Sequence, residues 1–323
     1  MLKEHAAPRS LSEAIRYFAD PDTALWFVVN LRWPSGVSCP LCDTDNPSYL
    51  RSRRIWKCRN AKCAKRQFSV KVGTIFEDSP LGLDKWLPAL WLLANAKNGI
   101  SSYELGRALG VTQKTAWFML GRIRLAMQSK SFKKLRGEVE VDESFFGGLS
   151  ANMHKDKRRA TIHGSGWNDK QAVMGMLQRK RGGKHSVVRF AVIPNIQKKT
   201  LVPLVQQNVE AGSSVYTDKH HAYKYIGPQY RHAAVDHAVE YVRGRVHTNG
   251  LENFWSLMKR TIKGTYISVD PFHLFRYLDE QSQRFNLRKL NDLGRFVFTL
   301  KNVLGKRLTY RELISADMTP ATT

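Results

Sequence analysis

The sequence predicts an α/β domain with a mixed five-stranded sheet, preceded by a small cysteine-containing ribbon and a helical region. Three observations support this. All cysteines lie within residues 39–63, helical periodicity dominates residues 83–127, and strand alternation begins after Gly137. The 323 residues exceed the usual length of a single domain. We therefore expect five segments, an N-terminal helical segment, the ribbon, the helical region, the α/β domain and a tail, at residues 1–34, 35–76, 77–134, 135–310 and 311–323.

The composition indicates a polyanionic partner. Lys and Arg number 52 against 27 Asp and Glu, a net charge of +25, and the 42% of hydrophobic residues excludes wholesale disorder. Residues 1–136 hold 23 basic and 10 acidic residues, and residues 137–323 hold 29 and 17. This even spread excludes a basic tail on a neutral body. Nucleic acid is the favoured partner, with a ribosome-associated protein and a merely basic surface as the alternatives.

The hydrophobic pattern predicts neither a membrane span nor a signal peptide. The longest apolar candidate, residues 86–96, is interrupted by Pro88 and falls well short of the ~20 residues needed to cross a bilayer. The N-terminus carries acidic residues and lacks a long apolar core. We expect a cytoplasmic protein without membrane contact.

The four cysteines form a Cys-x2-Cys pair and a Cys-x4-Cys pair, namely Cys39, Cys42, Cys58 and Cys63. Two closely spaced thiolate pairs are typical of a tetrahedral structural Zn²⁺ site. Disulfides fit poorly without a secretory signal, and an iron–sulfur cluster is the remaining alternative. No acid lies between Asp45 and Glu77, so this ribbon is a candidate DNA-contacting element, with contacts predicted at Arg53, Arg54, Lys57 and Arg66.

Residues 101–127 have the pattern of a helix-turn-helix motif. Ser101 begins a short helix with Leu105, Ala108 and Leu109 on its apolar face, Gly110 supplies the turn, and Thr112 caps a second helix. The N-terminal end of that recognition helix would present Gln113, Lys114 and Thr115 to DNA. An ordinary helical hairpin shares this pattern and stays the alternative.

From Gly137 the pattern changes to strands. Residues 138–142 alternate strictly, which places Glu138, Glu140 and Asp142 on one strand face. Further strands are predicted at 171–177, 186–193, 214–218 and 231–235, with a helix at 200–209. Three antiparallel strands, a helix and further strands follow the RNase H-like plan, in which the first and fourth strands are central neighbours. That plan would bring Asp142 close to Asp218.

A helix over residues 247–260 supplies a third candidate acid. Its apolar side holds Leu251, Phe254, Trp255 and Met258, and its other face holds Asn249, Glu252, Ser256 and Lys259. Asp142, Asp218 and Glu252 together would repel one another unless divalent cations neutralised them, and Mg²⁺ or Mn²⁺ suits such oxygen ligands. Lys259 could contact DNA phosphate. The local alternatives are a strand-end cap at Asp218 and a capping box formed by Asn249 and Glu252.

These motifs together resemble the DDE transposases of bacterial insertion sequences, in particular the zinc-ribbon ISXO-like group. The resemblance covers residues 31–288 and rests on the order and spacing of several segments. They are LRWPSGVSCPLC, RQFSVKVGTIFEDS and KTAWFMLGRIRLAM in the N-terminal part, then VEVDESFFGG, VYTD and HTNGLENFWSLMKR followed by KGTY.

The resemblance implies an RNase H-like fold and Mg²⁺-dependent cleavage and joining of DNA at transposon ends. Asp142 and Asp218 match the first two acidic positions of the family. Glu252 is favoured as the third, because the seven-residue step to Lys259 resembles the Glu-to-Lys/Arg step of related transposases, and Asn249 is its rival. Arg158, in a basic loop, could touch DNA at the catalytic sheet.

The family also implies double-stranded DNA as partner, both the terminal inverted repeats and the target. Pairing two ends requires at least two active sites, so a homodimer or larger oligomer on DNA is expected, associated with the bacterial nucleoid. Two other functions remain open at this point: a domesticated, non-catalytic zinc-ribbon regulator, and an RNase H-like nuclease without strand transfer.

Overall fold

The computed structural model describes residues 7–128, 133–147, 170–180, 182–183, 185–235 and 244–315. Their contacts divide the chain into two compact units. Unit 1 comprises the described residues up to 128 together with 287–315, and unit 2 comprises those from 133 to 286. Arg158, a predicted DNA contact, lies outside the described residues.

Unit 1 begins with two capped helices, α1 (Leu11–Ala19) and α2 (Pro21–Arg32). The hydroxyl of Ser10 accepts a hydrogen bond from the backbone amide of Glu13. A carboxylate oxygen of Asp20 accepts one of 2.7 Å from the backbone amide of Thr23. Each contact satisfies an amide that the first helical turn leaves without a backbone partner. The predicted helical segment at 1–34 is therefore a pair of helices.

The ribbon is a three-stranded antiparallel sheet of β1 (Ser48–Leu50), β2 (Ile55–Lys57) and β3 (Gln67–Phe68). Trp56 stacks on Phe68 with ring centroids 6.1 Å apart, and Trp26 of α2 packs edge-on against Trp56. So small a sheet cannot bury a core of its own. It shares one hydrophobic core with the helices of unit 1, so residues 7–128 form one core rather than the three predicted segments.

Three further helices follow: α3 (Leu83–Asn95), α4 (Ser102–Leu109) and α5 (Gln113–Met127). Gly110 ends α4 with a φ of 63°, and the Thr112 hydroxyl accepts the amide of Thr115 over 3.2 Å at the start of α5. The helix, glycine turn and capped helix are present as predicted. Ala108 was predicted on the apolar face but is exposed. Gly106 is buried instead, and a Cβ at this position would lie 3.0 Å from the Val111 carbonyl oxygen.

The C-terminal helices α9 (Asp292–Lys301) and α10 (Tyr310–Ile314) belong to unit 1, which corrects the predicted end of the α/β domain at residue 310. Phe296 of α9 is fully buried against Trp91 of α3. The buried guanidinium of Arg122 donates to the carbonyl of Leu308 over 2.9 Å. An amphipathic helix does not reveal in its sequence which core will cover it, so the division at 286/287 could not be predicted.

Unit 2 contains the predicted mixed five-stranded sheet. Its strands are β4 (Glu138–Phe146), β5 (Gln171–Gln178), β6 (Val187–Ile193), β7 (Ser214–Asp218) and β8 (Arg231–Val235), in the order β6-β5-β4-β7-β8. The pairs β4–β5 and β5–β6 are antiparallel, whereas β4–β7 and β7–β8 are parallel. This order fits an RNase H-like fold.

Helices cover both faces of this sheet. One face packs on α6 (Lys198–Asn208) through a core that includes Val139, Val141 and Leu201. The other packs on α7 (Asn249–Thr261) and α8 (Leu274–Asn286), between which residues 262–266 form a π-helical turn. In the part of the chain that the structure describes, no helix has the length and apolarity of a membrane span.

Candidate active site and metal centres

The two central parallel strands place Asp142 and Asp218 at the same level of the sheet. Glu140 of β4 is paired with Tyr216 of β7. Asp142 and Asp218 lie two residues further along β4 and β7. Because side chains alternate between the two faces of a sheet, both lie on the face that holds Glu140 and Tyr216. The structure thus brings together the pair that the sequence predicted.

A third carboxylate joins them. Asp142, Glu143 and Asp218, called here the carboxylate cluster, each offer an oxygen, and these oxygens all lie within 4.8 Å of one another. Glu143 was missed from the sequence because strand alternation assigns it to the face opposite Asp142. The available signal was the adjacent Asp-Glu pair within β4.

Each member of the carboxylate cluster accepts a hydrogen bond. The indole Nε1 of Trp255 donates to Asp142 over 2.9 Å, and the backbone amide of His220 donates to Asp218 over 3.1 Å. The hydroxyl of Tyr223 donates to Glu143. Strands and helices of unit 2 therefore orient all three acids.

Burial and mutual repulsion oppose ionisation of the carboxylate cluster. Burial, reinforced by the charges of Asp218 and Glu252, raises the pKa of Asp142 to about 6 against the opposing hydrogen bond from Trp255. Burial also raises the pKa of Glu143 well above its ordinary value, with further contributions from Asp218 and Asp142. A divalent cation would relieve this repulsion, because oxygen donors from ionised carboxylates are the ligands that Mg²⁺ and Mn²⁺ prefer.

The helix α7 carries the remaining predicted site residues. Its buried side holds Leu251, Phe254, Trp255 and Met258, and its exposed face holds Asn249, Glu252, Ser256 and Lys259, as predicted. The local alternative, a capping box formed by Asn249 and Glu252, is not present, because Thr248 occupies the N-cap position and Asn249 is already helical. The Thr248 hydroxyl instead donates to the Glu252 carboxylate over 3.0 Å.

Glu252 lies near the carboxylate cluster without belonging to it. Its charge contributes to the raised pKa of Asp142. None of its oxygens is within 4.8 Å of all three members of the carboxylate cluster. Glu252 is exposed on the first turn of α7.

A glycine makes room for the contact between α7 and the sheet. Gly175 of β5 is the partner of Asp142 across the antiparallel ladder. A Cβ at this position would lie 2.6 Å from Cζ2 of Trp255 and 3.0 Å from a methyl carbon of Leu251. The absence of a side chain at Gly175 therefore allows the indole to reach Asp142.

The four cysteines converge as the sequence predicted. The Sγ atoms of Cys39 and Cys63 are 3.8 Å apart, and those of Cys42 and Cys58 are 3.6 Å apart. Four sulfurs placed tetrahedrally about 2.3 Å from Zn²⁺ would be about 3.8 Å from one another, whereas a disulfide requires about 2.05 Å. These thiols fit a tetrahedral metal site and do not form disulfides.

Two turns shape this cysteine site. The amide of Asp43 donates to the Cys39 carbonyl, and the amide of Cys63 donates to the Asn60 carbonyl. Two hydrogen bonds with Thr44, the larger contribution from its hydroxyl and the smaller from its backbone, lower the pKa of the Cys42 thiol to about 6. The lowered pKa favours the thiolate, which is the form that binds metal.

The predicted DNA contacts of unit 1 lie at its surface. In the ribbon, four side chains are exposed: Arg53, Arg54, Lys57 and Arg66. Arg54 also pairs with Asp22 over 2.6 Å, and Arg53 donates to the side chain of Gln67. At the start of α5, Lys114 and Gln113 are exposed and Thr115 is half-buried. The side-chain amide Nε2 of Gln113 donates to the hydroxyl of Ser102 over 2.9 Å.

Comparison with known proteins identifies the two parts of the chain. Residues 134–286 match the model of an ISXO2-like transposase domain, and residues 20–66 match that of a transposase zinc-ribbon domain. The first match lies within unit 2, and the second covers α2 and the ribbon as far as residue 66, just before β3.

Two known proteins are similar to this chain in sequence. An uncharacterized protein in transposable element ISH50 of Halobacterium salinarum is 27% identical, over 85% of this chain and 92% of that protein. An uncharacterized transposase-like protein of Haemophilus influenzae is 31% identical, over 31% of this chain and 80% of that protein.

Proposed function

Because the chain belongs to the ISXO2-like transposase family, we propose that it is a DDE-type polynucleotidyl transferase that cuts and joins DNA at the ends of an insertion sequence. The observation that carries the proposal is the placement of Asp142 and Asp218 side by side on the two central parallel strands, with Asp142 within β4 and Asp218 at the end of β7. Paired carboxylates at this position are suited to hold metal ions against a phosphodiester.

Asp142 and Asp218 are proposed to hold Mg²⁺ or Mn²⁺, with Glu252 as the third acid. When bound, such cations would stabilise the charge that develops on the phosphate and favour ionisation of the attacking oxygen. Trp255 fixes the carboxylate of Asp142, the amide of His220 fixes that of Asp218, and Thr248 holds that of Glu252. These hydrogen bonds would hold the three carboxylates in place before substrate binds.

Two further residues of α7 have proposed tasks. Lys259 lies two turns beyond Glu252 on the same exposed face, where its ammonium group can contact a DNA phosphate near the reacting position. Asn249 lies one turn before Glu252 and could orient a water molecule. It remains the rival of Glu252 for the third position.

Glu143 is a second rival for the third acid. Its carboxylate is already within the carboxylate cluster, whereas Glu252 approaches from α7. Glu143 accepts the Tyr223 hydroxyl and lies on the opposite face of β4 by alternation. We favour Glu252 because its side chain is exposed on α7. If Glu252 is the third acid, Glu252→Gln should abolish DNA cleavage and Glu143→Gln should reduce it less, and the reverse result would favour Glu143.

The reaction proposed has two steps. Water attacks a phosphorus atom at the transposon end, a P–O bond to the 3′-oxygen breaks, and a 3′-OH is released. That 3′-OH then attacks a phosphodiester of target DNA, which joins the two strands and releases a 3′-OH of the target.

Unit 1 would bind the terminal inverted repeats through the Zn²⁺-stabilised ribbon and the α4–α5 pair acting as a helix-turn-helix. A dimer or larger assembly, working on DNA at the nucleoid, would pair the ends.

The test uses the purified full chain with Zn²⁺ and Mg²⁺ on a DNA duplex that carries the element's own end. We expect nicking at the end by the native chain, no nicking after Asp142→Ala, and joining of a pre-cut end to target DNA. The proposal fails if Asp142→Ala nicks as well as the native chain. Cleavage of ends without joining would indicate a nuclease, and specific binding without cleavage would indicate a DNA-binding regulator.

A further inference from the structure

Glu140 is a buried carboxylate on the strand face that α7 covers, two residues before Asp142. Its side chain is 2% exposed. Burying a carboxylate costs several kcal/mol unless ion pairing and hydrogen bonds compensate it. The partners of Glu140 must therefore compensate for its burial in the centre of the sheet.

Both oxygens of Glu140 have partners. Oε1 accepts a hydrogen bond of 2.7 Å from Nε of Arg179, the residue that follows β5. Oε2 accepts a hydrogen bond of 3.0 Å from the backbone amide of Leu251. The Leu251 amide belongs to the first turn of α7, where backbone N–H groups are oriented toward anions. The carboxylate thus connects the central strand to the start of the helix that carries Asn249 and Glu252.

The contact with the helix is close. A Cβ on Gly250 would lie 2.7 Å from Oε2 and 3.1 Å from Oε1 of Glu140. A side chain at this position would force either the helix or the Glu140 carboxylate to move and would disturb the contact between them. Gly250 therefore allows the backbone of α7 to rest directly on Glu140.

Arg179 holds the segment that leads into α7. Its guanidinium donates to the carbonyl of His247 over 2.7 Å and to the carbonyl of Arg245 over 2.6 Å. Because Glu140 pairs with this guanidinium, one ion pair fixes the chain on both sides of the N-cap residue Thr248. Those contacts leave the first turn of α7 little freedom to rotate or shift.

We propose that Glu140, paired with Arg179, is a positioning residue that fixes the first turn of α7 and so holds Glu252 in place to complete the metal site of Asp142 and Asp218. The inference rests on the proposed function. It assigns a task to a side chain that is buried between Arg179 and the first turn of α7. Residues that orient ligands in this way typically change metal affinity or activity by about 10- to 100-fold when they are altered.

The test measures Mn²⁺ affinity of the zinc-loaded full chain without DNA, by calorimetry or by the electron paramagnetic resonance of free Mn²⁺. Two variants disturb the contact in different ways. Glu140→Gln removes the charge that pairs with Arg179, and Gly250→Ala inserts a methyl group against the carboxylate without altering any charge. Alanine favours helix more than glycine does, so weaker binding by Gly250→Ala would not come from lost helix propensity.

We expect both variants to bind Mn²⁺ roughly 10- to 100-fold more weakly than the native chain, and their DNA cleavage to recover at high Mn²⁺. The matched control is Glu280→Gln, which breaks another buried ion pair of unit 2, with Arg284 in α8, and should leave Mn²⁺ affinity unchanged. If Glu140→Gln does not fold, Gly250→Ala decides.

Native-like Mn²⁺ affinity in a folded Glu140→Gln or Gly250→Ala chain overturns the inference. An equal loss in Glu280→Gln also overturns it, because the effect would then be general destabilisation. The failure of the proposed function looks different, since Asp142→Ala would then retain cleavage whatever the Glu140 variants do.

Discussion

The indole Nε1 of Trp255 donates a hydrogen bond to Oδ2 of Asp142 over 2.9 Å, which couples the buried side of α7 to the first acid of the carboxylate cluster. The indole is buried and packs against Phe190 and Phe146. Its orientation is therefore set by the core between α7 and the sheet. This contact leads to the first prediction.

Trp255→Phe should weaken metal binding at low pH. The hydrogen bond favours the ionised carboxylate, so its loss raises the pKa of Asp142 further above its present value of about 6. We expect the pH midpoint of Mn²⁺ binding to move upward by roughly one pH unit, because a hydrogen bond to a charged group contributes about 1.5–3 kcal/mol. Mn²⁺ titrations between pH 5 and pH 8 measure the shift.

Two further variants make the Trp255 experiment specific. Trp86→Phe removes another buried indole, which donates to the hydroxyl of Ser79 in unit 1, and should leave the midpoint unchanged. Gly175→Ala should reproduce the shift, because its methyl group would meet the indole at 2.6 Å. An unchanged midpoint in both Trp255→Phe and Gly175→Ala would show that the indole does not set the ionisation of Asp142.

Asp142→Asn should stabilise the chain when no divalent cation is present. The raised pKa means that the folded state holds the Asp142 proton more tightly than the unfolded state does, so ionisation on folding costs free energy. This cost is absent below the unfolded pKa, grows as pH rises toward the folded pKa of about 6, and is complete above it. At neutral pH we expect a gain on the order of 1–3 kcal/mol.

Denaturant unfolding with chelated divalent ions, at pH 4 and pH 7.5, measures that gain. The difference between Asp142→Asn and the native chain should be large at pH 7.5 and small at pH 4. Saturating Mn²⁺ should reverse the order by stabilising only the native chain. A variant less stable than the native chain at pH 7.5 without metal would contradict the prediction.

Cys42→Ser should remove metal from the ribbon and destabilise unit 1. Its sulfur lies 3.6 Å from that of Cys58, at the distance of two ligands on one tetrahedral ion. We expect about one zinc per native chain by elemental analysis and much less in the variant, with a loss of several kcal/mol in unfolding free energy. A strong chelator should reproduce the loss in the native chain and add little to that in Cys42→Ser. Equal zinc content in both chains would refute the site.

The basic surface of the ribbon should determine the salt dependence of DNA binding. Lys57 and Arg66 are exposed, and each phosphate contact contributes about 0.9 to the slope of log affinity against log salt. Replacing both with Gln should lower that slope by up to about 2 in fluorescence anisotropy titrations with the element's end. Arg16→Gln, an exposed position on α1, is the control and should change the slope less. An equal change in the control would mean that the ribbon has no special part in binding.

Local sequence patterns determined most of the secondary structure and the two candidate metal centres. Alternation after Gly137 marked β4, short apolar runs marked β5 to β8, and helical spacing separated the buried and exposed faces of α7. Cysteine spacing predicted the convergence of the four sulfurs, and the strand order predicted that Asp142 and Asp218 would be neighbours. Strand and helix positions depend on short-range periodicity, which a single sequence records directly. The adjacency of Asp142 and Asp218 was predicted differently, from the order of strands and helices along the chain.

Contacts between distant segments were decided only by the tertiary structure. The sequence does not show that Glu143 joins the carboxylate cluster, that Gly175 makes room for Trp255, or that α9 packs with α3 in unit 1. Nor does it show that Glu140 accepts a hydrogen bond from a backbone amide of α7. Alternation places Glu138, Glu140 and Asp142 on one strand face and does not distinguish their roles. Such roles depend on which backbone or side chain arrives opposite a residue, and that is fixed by packing across more than a hundred residues of chain.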